Sequence, residues 1–174
     1  TGYDYSRMQN PTREQLENVV TSLEKGLDGI AFSSGMAAIS AVMELFEPGD
    51  HIITDQDLYG GSLRLFQNIN QKNGLLFSHI SFREEKLENY ITEKTKAILI
   101  ETPSNPMMNI IDIQKIAKIS HQNNLLFIVD NTFLSPYFQN PLDLGADIVI
   151  HSGTKYLGGH NDTIAGFAIT SSQE

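Results

Sequence analysis

Short, almost wholly apolar runs recur along this chain, each followed by residues with helical spacing, and that alternation restricts the fold more than any other feature. The clearest run is Leu125-Leu126-Phe127-Ile128-Val129; Ala97-Ile98-Leu99-Ile100 and Ile148-Val149-Ile150 resemble it. A strand that is apolar at every position must be covered on both faces, and strands separated by helices pair in parallel. The reading is an α/β fold, a mostly parallel sheet with helices on both faces. Strands are expected at 29–32, 51–54, 75–77, 97–100, 125–129, 148–150 and 164–169. Helices are expected from Asn10-Pro11-Thr12 to about Lys25, from Ser34 to the stop at Pro48-Gly49-Asp50, and over 60–72, 86–92 and 113–123. Glu14 and Glu17 put acid in the early turns of the first helix, where it complements the macrodipole.

No repeat, low-complexity tract or linker divides the chain, so residues 1–174 read as one domain. Its ends, Thr1-Gly2-Tyr3 and Ser171-Ser172-Gln173-Glu174, look cut, and the expectation is a piece of a longer protein. A formal net charge of −9 argues against a nucleic-acid partner, which would favour a basic face. Cysteine is absent, which removes disulfides and thiolate chemistry and fits a reducing compartment. No apolar run has the length of a membrane span. The chain is therefore expected to be soluble and cytoplasmic, without a membrane partner.

In parallel sheets of this kind ligands sit beyond the carboxyl ends of the strands. Residues able to do chemistry fall at those ends: Ser33-Ser34-Gly35, Glu101, Asp130, and Ser152 to Lys155. The last group is the most telling. Ser152-Gly153-Thr154-Lys155-Tyr156-Leu157-Gly158-Gly159-His160 sets a lysine among hydroxyl and glycine residues directly after a strand. A lysine there is expected to lie in a dry pocket, where desolvation would favour the free amine and a Schiff base. Ser152 and Thr154 suit a phosphate, and the combination suggests pyridoxal 5'-phosphate.

Other positions carry two readings each. Gly35 and Met36 open a helix whose first amides can receive a phosphate, or they form an ordinary capped turn. Asp130 could pair with a pyridinium nitrogen, or cap a turn. Tyr59, beside Gly60 and Gly61, which would bare one face of its ring, could stack on an aromatic cofactor or simply pack. Asn105, in a loop stiffened by Pro103 and Pro106, could donate to a ligand oxygen or mark a turn. Tyr5 and Arg7 precede the first helix, where an arginine is usually solvated. The five histidines lack metal-ligand spacing, so no metal is expected, and His160 reads as a turn or hydrogen-bonding residue. Neither a dinucleotide fingerprint nor a phosphate-binding loop motif is present, which counts against a nucleotide-binding domain.

The ordered set Tyr5-Ser6-Arg7, Asn10-Pro11-Thr12, Ser34-Gly35-Met36-Ala37-Ala38, Tyr59-Gly60-Gly61, Glu101-Thr102-Pro103-Ser104-Asn105-Pro106, Val129-Asp130-Asn131-Thr132, Ser152-Gly153-Thr154-Lys155-Tyr156 and Gly159-His160-Asn161-Asp162 resembles the Cys/Met-metabolism family of pyridoxal-phosphate enzymes. Gly153 departs from the family's usual alanine. The resemblance implies the large domain of an aminotransferase-like (fold type I) enzyme. It implies that Lys155 forms the Schiff base and shuttles protons, that Asp130 pairs with the pyridine nitrogen, and that Tyr59 stacks on the ring. It further implies that Gly35, Met36, Ser152 and Thr154 hold the phosphate, and that Asn105 bonds near the ring hydroxyl. Tyr5 and Arg7 would reach the phosphate of a neighbouring subunit in a homodimer or homotetramer.

The implied chemistry is γ-elimination or γ-replacement on a sulfur amino acid or an O-acylhomoserine, of the cystathionine γ-synthase or γ-lyase type. Tyr59-Gly60-Gly61-Ser62 lacks the cysteine expected soon after this tyrosine in methionine γ-lyases. O-acetylhomoserine sulfhydrylase, methionine γ-lyase and cystathionine β-lyase chemistry remain alternatives, as does a non-catalytic pyridoxal-phosphate-binding regulatory module. Family members carry a further C-terminal domain that holds the substrate carboxylate, and this chain is expected to be inactive without it.

Overall fold

The computed structural model describes residues 2–172. Its strands are β1 (Asp28–Phe32), β2 (His51–Asp55), β3 (Leu76–Ile80), β4 (Thr95–Glu101), β5 (Leu126–Asp130), β6 (Ile148–Ser152) and β7 (Gly166–Thr170). The helices are α1 (Pro11–Glu24), α2 (Gly35–Met43), α3 (Gly60–Leu65), α4 (Ile113–Gln122) and the short α5 (Ser135–Phe138). The strands form one sheet in the order β1-β7-β6-β5-β4-β2-β3. Neighbours from β6 across to β3 run parallel. β7 is antiparallel to both β6 and β1, so β1 points the same way as the parallel set.

Alternation along the central strands divides the core into two layers. Ile98 and Ile100 of β4, with Phe127 and Val129 of β5, pack on one face with α4. Leu99 and Ile128 point the other way, onto Ala38, Ile39, Val42 and Met43 of α2. This explains why the strand sequences are apolar at consecutive positions. α4 buries Ile113, Ile116, Ala117 and Ser120, the i, i+3, i+4, i+7 stripe of one helical face. Its first turn is capped by Asp112, which accepts from the Lys115 amide at 3.0 Å. α1 begins as its sequence predicts, with Asn10 accepting from the Thr12 and Arg13 amides. Glu17 of α1 reaches the sheet edge, where its carboxylate accepts the Ala31 amide at 2.9 Å.

Some expected elements differ. The helix expected over 60–72 is α3 followed by a π-helical turn, Phe66–Asn70. The Gln71 amide bonds the Phe66 carbonyl at 2.9 Å, and both Phe66 and Asn70 are buried. Phe66 stacks on Phe77 with 4.8 Å between centroids, so side-chain packing outweighs regular helical pitch there. The helix expected over 86–92 is a 3-10 turn, Leu87–Tyr90, with one buried residue to anchor it. The last strand starts at Gly166, leaving Ile164 exposed. α5 was not anticipated, because Ser135-Pro136-Tyr137-Phe138 buries nothing that would give it a helical pattern.

Phe127 has no solvent exposure, whereas Tyr137 is 85% exposed. Phe127→Ala is expected to lower unfolding free energy by about 3–5 kcal/mol, and Tyr137→Ala by less than about 0.5 kcal/mol. Denaturant titration of both variants checks the assignment of the core; equal effects would contradict it.

Candidate active site

A cavity of about 280 Å³ opens beyond the carboxyl ends of the parallel strands. It is lined by Ser34, Gly35 and Met36 after β1, Tyr59 after β2, Glu101 and Asn105 after β4, and Asp130 and Thr132 after β5. Ser152, Thr154 and Lys155 at the end of β6 complete its polar wall. Segments far apart in sequence therefore converge because the sheet aligns their strand ends.

The wall at α2 is suited to an anion. Ser34 caps the helix by accepting the Ala37 amide at 3.1 Å, which leaves the Gly35 and Met36 amides at the positive end of the helix without intrahelical acceptors. Gly35 is required by close approach: a Cβ there would lie 2.8 Å from the Ser152 Cβ. The helix N-terminus and the Ser152-Gly153-Thr154 turn thus meet almost backbone to side chain. Thr154 is held by the Ala165 amide, which donates to its Oγ1 at 3.2 Å. Donors of this kind, with Lys155 nearby, fit a phosphate.

Asp130 forms the floor. Its Oδ1 accepts from the Thr132 amide at 3.0 Å and the Thr132 hydroxyl at 2.6 Å. The same hydroxyl accepts the Ser152 amide at 2.9 Å, so Thr132 ties the end of β5 to the end of β6. Asp130 therefore closes a turn, one of the two roles read from the sequence, and it also faces the cavity. Burial pushes its carboxyl pKa upward, opposed by the Thr132 bonds and by the nearby His151. A half-buried carboxylate facing the cavity gains from a cationic partner, which a pyridinium would supply.

Glu101 stands directly across from Asp130 in the β4–β5 register. Its Oε2 accepts the Tyr59 amide at 2.7 Å. Burial, then the charge of Asp130, pushes the Glu101 pKa up to about 8, partly offset by the Tyr59 bond. A second carboxylate, Asp57, ties the same two loops from the other side. It accepts from the Ser104 hydroxyl, from the Met107 amide at 3.2 Å and from the Asn109 side chain at 3.1 Å. Asn105 sits inside the loop that these bonds hold.

The ring of Tyr59 lies against α3, where a Cβ on Gly61 would come within 2.4 Å of Tyr59 Cε1. Gly61 therefore makes room for the ring, while Gly60 has no comparable contact and meets only Arg64 at 3.4 Å. The sequence reading that both glycines bare the ring is corrected to one glycine that receives it. Lys155 also differs from expectation: it lines the cavity but is exposed, because the turn after β6 forms the open rim. The dry pocket expected around its amine is not built by these residues alone. Tyr5 and Arg7 do not line this cavity. They lie on an exposed arm with Arg7 5.5 Å from the centre of the Tyr5 ring, and Arg13 fastens that arm by donating to the carbonyls of Ser6, Arg7 and Met8. His160 meets the Gly158 carbonyl at 2.8 Å, the turn role read from its sequence.

Matches to known proteins agree with this geometry. Residues 1–174 match the family described as Cys/Met metabolism PLP-dependent enzyme. The chain belongs to that family. A cystathionine gamma-synthase/O-acetylhomoserine (thiol)-lyase of Bacillus subtilis is 55% identical over 97% of this chain and 46% of its own length. A cystathionine beta-lyase of Coxiella burnetii is 51% identical over 97% of this chain and 44% of its own. A crystal structure of cystathionine gamma-lyase from Lactobacillus plantarum, complexed with L-serine, superposes with a TM-score of 0.97 at 49% identity. It is matched over 99% of this chain and 45% of that one. The chain thus spans about half the length of the relatives it matches. Membership makes pyridoxal 5'-phosphate the cofactor, and the fold is the fold type I large domain expected from the sequence. Among the described residues no helix is long and apolar enough to cross a membrane.

Thr132 and the pairing of Glu101 with Tyr59 escaped sequence reasoning. Glu101 was visible as a rim residue, but its partner is fixed by strand register, which no local pattern reveals. A carboxyl whose folded pKa lies above its unfolded value binds more protons folded than unfolded, so its contribution is fully present below the unfolded value and lost as pH rises. For Glu101 that window runs from 4.5 to about 8, and Asp130 acts in the same direction. The melting temperature of the cofactor-free protein is therefore expected to fall across this range. Glu101→Gln, which cannot ionise, should flatten the fall; an unchanged profile would refute the assignment.

Proposed function

We propose that this chain is the cofactor-binding part of an enzyme that carries out γ-elimination or γ-replacement on cystathionine or an activated homoserine. The observation that carries the reading is the convergence of Lys155, Asp130, Tyr59 and the α2 amides on one cavity. Bound there, pyridoxal phosphate supplies a sink for the electron pair released at the substrate Cα. The Gly35 and Met36 amides, with Ser152 and Thr154, would hold the phosphate. Asp130 would keep the proton on the ring nitrogen, Tyr59 would cover one ring face, and Asn105 would donate to the ring's hydroxyl oxygen. The amine of Lys155 would remove the Cα proton and carry protons between the substrate carbons.

The relatives' names span synthase, thiol-lyase and β-lyase activities, so these site residues suit a shared chemistry more than one leaving group. We prefer γ-chemistry, with β-elimination from cystathionine, O-acetylhomoserine sulfhydrylation and methionine γ-elimination as alternatives. The exposed amine of Lys155 supports completion of the site by further protein, both a domain that binds the substrate carboxylate and a second subunit. Exposed Met107, Ile110 and Phe138 follow the same strand ends and suit such a contact. The arm with Tyr5 and Arg7 would then serve the phosphate of the neighbouring subunit in a homodimer or homotetramer. A cytoplasmic location fits the lack of cysteine.

Borohydride reduction of the cofactor-loaded enzyme, followed by peptide mapping, is expected to place a pyridoxyl group on Lys155. Lys155→Ala should carry no label and lose turnover by more than about 10³-fold. A label elsewhere would remove Lys155 as the reacting amine. Turnover of neither cystathionine nor an O-acylhomoserine by the unreduced, cofactor-loaded enzyme would overturn the substrate class. Arg7→Ala is expected to weaken cofactor binding by about tenfold, the loss of one charged hydrogen bond; unchanged affinity would remove the arm from the site.

A further inference from the structure

Glu101 is a buried acid in the cavity wall to which the roles above assign nothing. It is held in two ways at once. Its backbone is paired with β5 so that it lies directly opposite Asp130, and its Oε2 accepts the main-chain amide of Tyr59 at 2.7 Å. That amide precedes α3, whose first turn has no side-chain cap, so Glu101 supplies an acceptor at the point where the ring of Tyr59 is set. The ring itself is confined on its other side by Gly61. We propose that Glu101 is a positioning residue for the cofactor ring, acting through Tyr59: it fixes the main chain from which the stacking ring projects.

This rests on the pyridoxal-phosphate reading and adds to it a residue with no direct contact to the reacting atoms. Glu101 is suited to the task as a neutral acid. At neutral pH its carboxyl, raised to about 8, keeps its proton, and a second charge is not set beside Asp130. The anchoring oxygen needs no charge to accept an amide, so the glutamine amide should replace it. Asp57 performs the matching task for the Asn105 loop, and the two loops that would flank the ring are thereby tied to each other by two acidic side chains.

The test is the dissociation constant for pyridoxal phosphate, measured on the full-length protein and on Glu101→Gln, Glu101→Leu, Tyr59→Ala and the Glu101→Leu/Tyr59→Ala double variant. Glu101→Gln is expected to stay within about twofold of wild type. Glu101→Leu, which fills the volume but offers no acceptor, should bind about tenfold more weakly. In the Tyr59→Ala background the same change should cost less than about twofold, because the two residues act as one unit. Equal losses in both backgrounds, or a glutamine variant as weak as the leucine one, overturn the proposal. Should Glu101→Leu not fold, the circular dichroism of the bound cofactor in Glu101→Gln decides: a wild-type band supports the proposal and an altered band overturns it. Wild-type protein that binds no pyridoxal phosphate would instead overturn the cofactor reading beneath it.

Discussion

A carboxylate at the end of a strand buried on both faces governs this structure. Phe127, Ile128 and Val129 are covered by α4 on one side and α2 on the other, and this burial carries Asp130 to the mouth of the sheet with almost no freedom. Thr132 then orients it and links it to Ser152. Protein packed closely round Asp130 makes its charge expensive. The floor of the cavity is therefore electrostatically unfinished until a cation meets it. At the other end, the α2 amides and the hydroxyls of Ser152 and Thr154 call for an anion. A ligand with a cationic ring nitrogen and a phosphate satisfies both ends, and the distance between them is set by strands that cannot shift without breaking the core.

The consequences run outward from that floor. Glu101 and Asp57 each reach across from one strand-end loop to the other, so Tyr59 and Asn105 inherit the rigidity of β2 and β4. Such positioning is what a preorganised site requires, since groups already in place need no reordering when the substrate arrives. Lys155 is different. It sits exposed on the rim of the cavity.

Much of this was legible in the sequence, for reasons that can be named. Uninterrupted apolar runs announced buried parallel strands, and Asn10 marked the start of α1 because a cap acts locally, whereas α2 ends at Met43, before the stop expected at Pro48-Gly49-Asp50. Lys155, Asp130, Tyr59, Ser152, Thr154, Gly35, Met36 and Asn105 line one cavity because strand ends share one rim, although their roles toward the cofactor rest on the proposal above. What escaped depends on contacts between distant segments. The π-helical turn at Phe66 accompanies stacking on Phe77, which lies beyond the turn in β3. The work of Glu101 and Thr132 follows from sheet register. The openness around Lys155 depends on what surrounds a turn, which composition does not encode. Tyr5 and Arg7 could be read only by resemblance, since nothing in the arm itself points to the cavity.

Nitrogen NMR reads the proposed pairing of Asp130 with the ring nitrogen. The protein would be loaded with pyridoxal phosphate labelled with ¹⁵N in the ring, and the shift recorded for wild type and Asp130→Asn near neutral pH. A protonated ring nitrogen is expected in the wild type and an unprotonated one in the variant. The same protonation state in both would show that Asp130 does not control the ring.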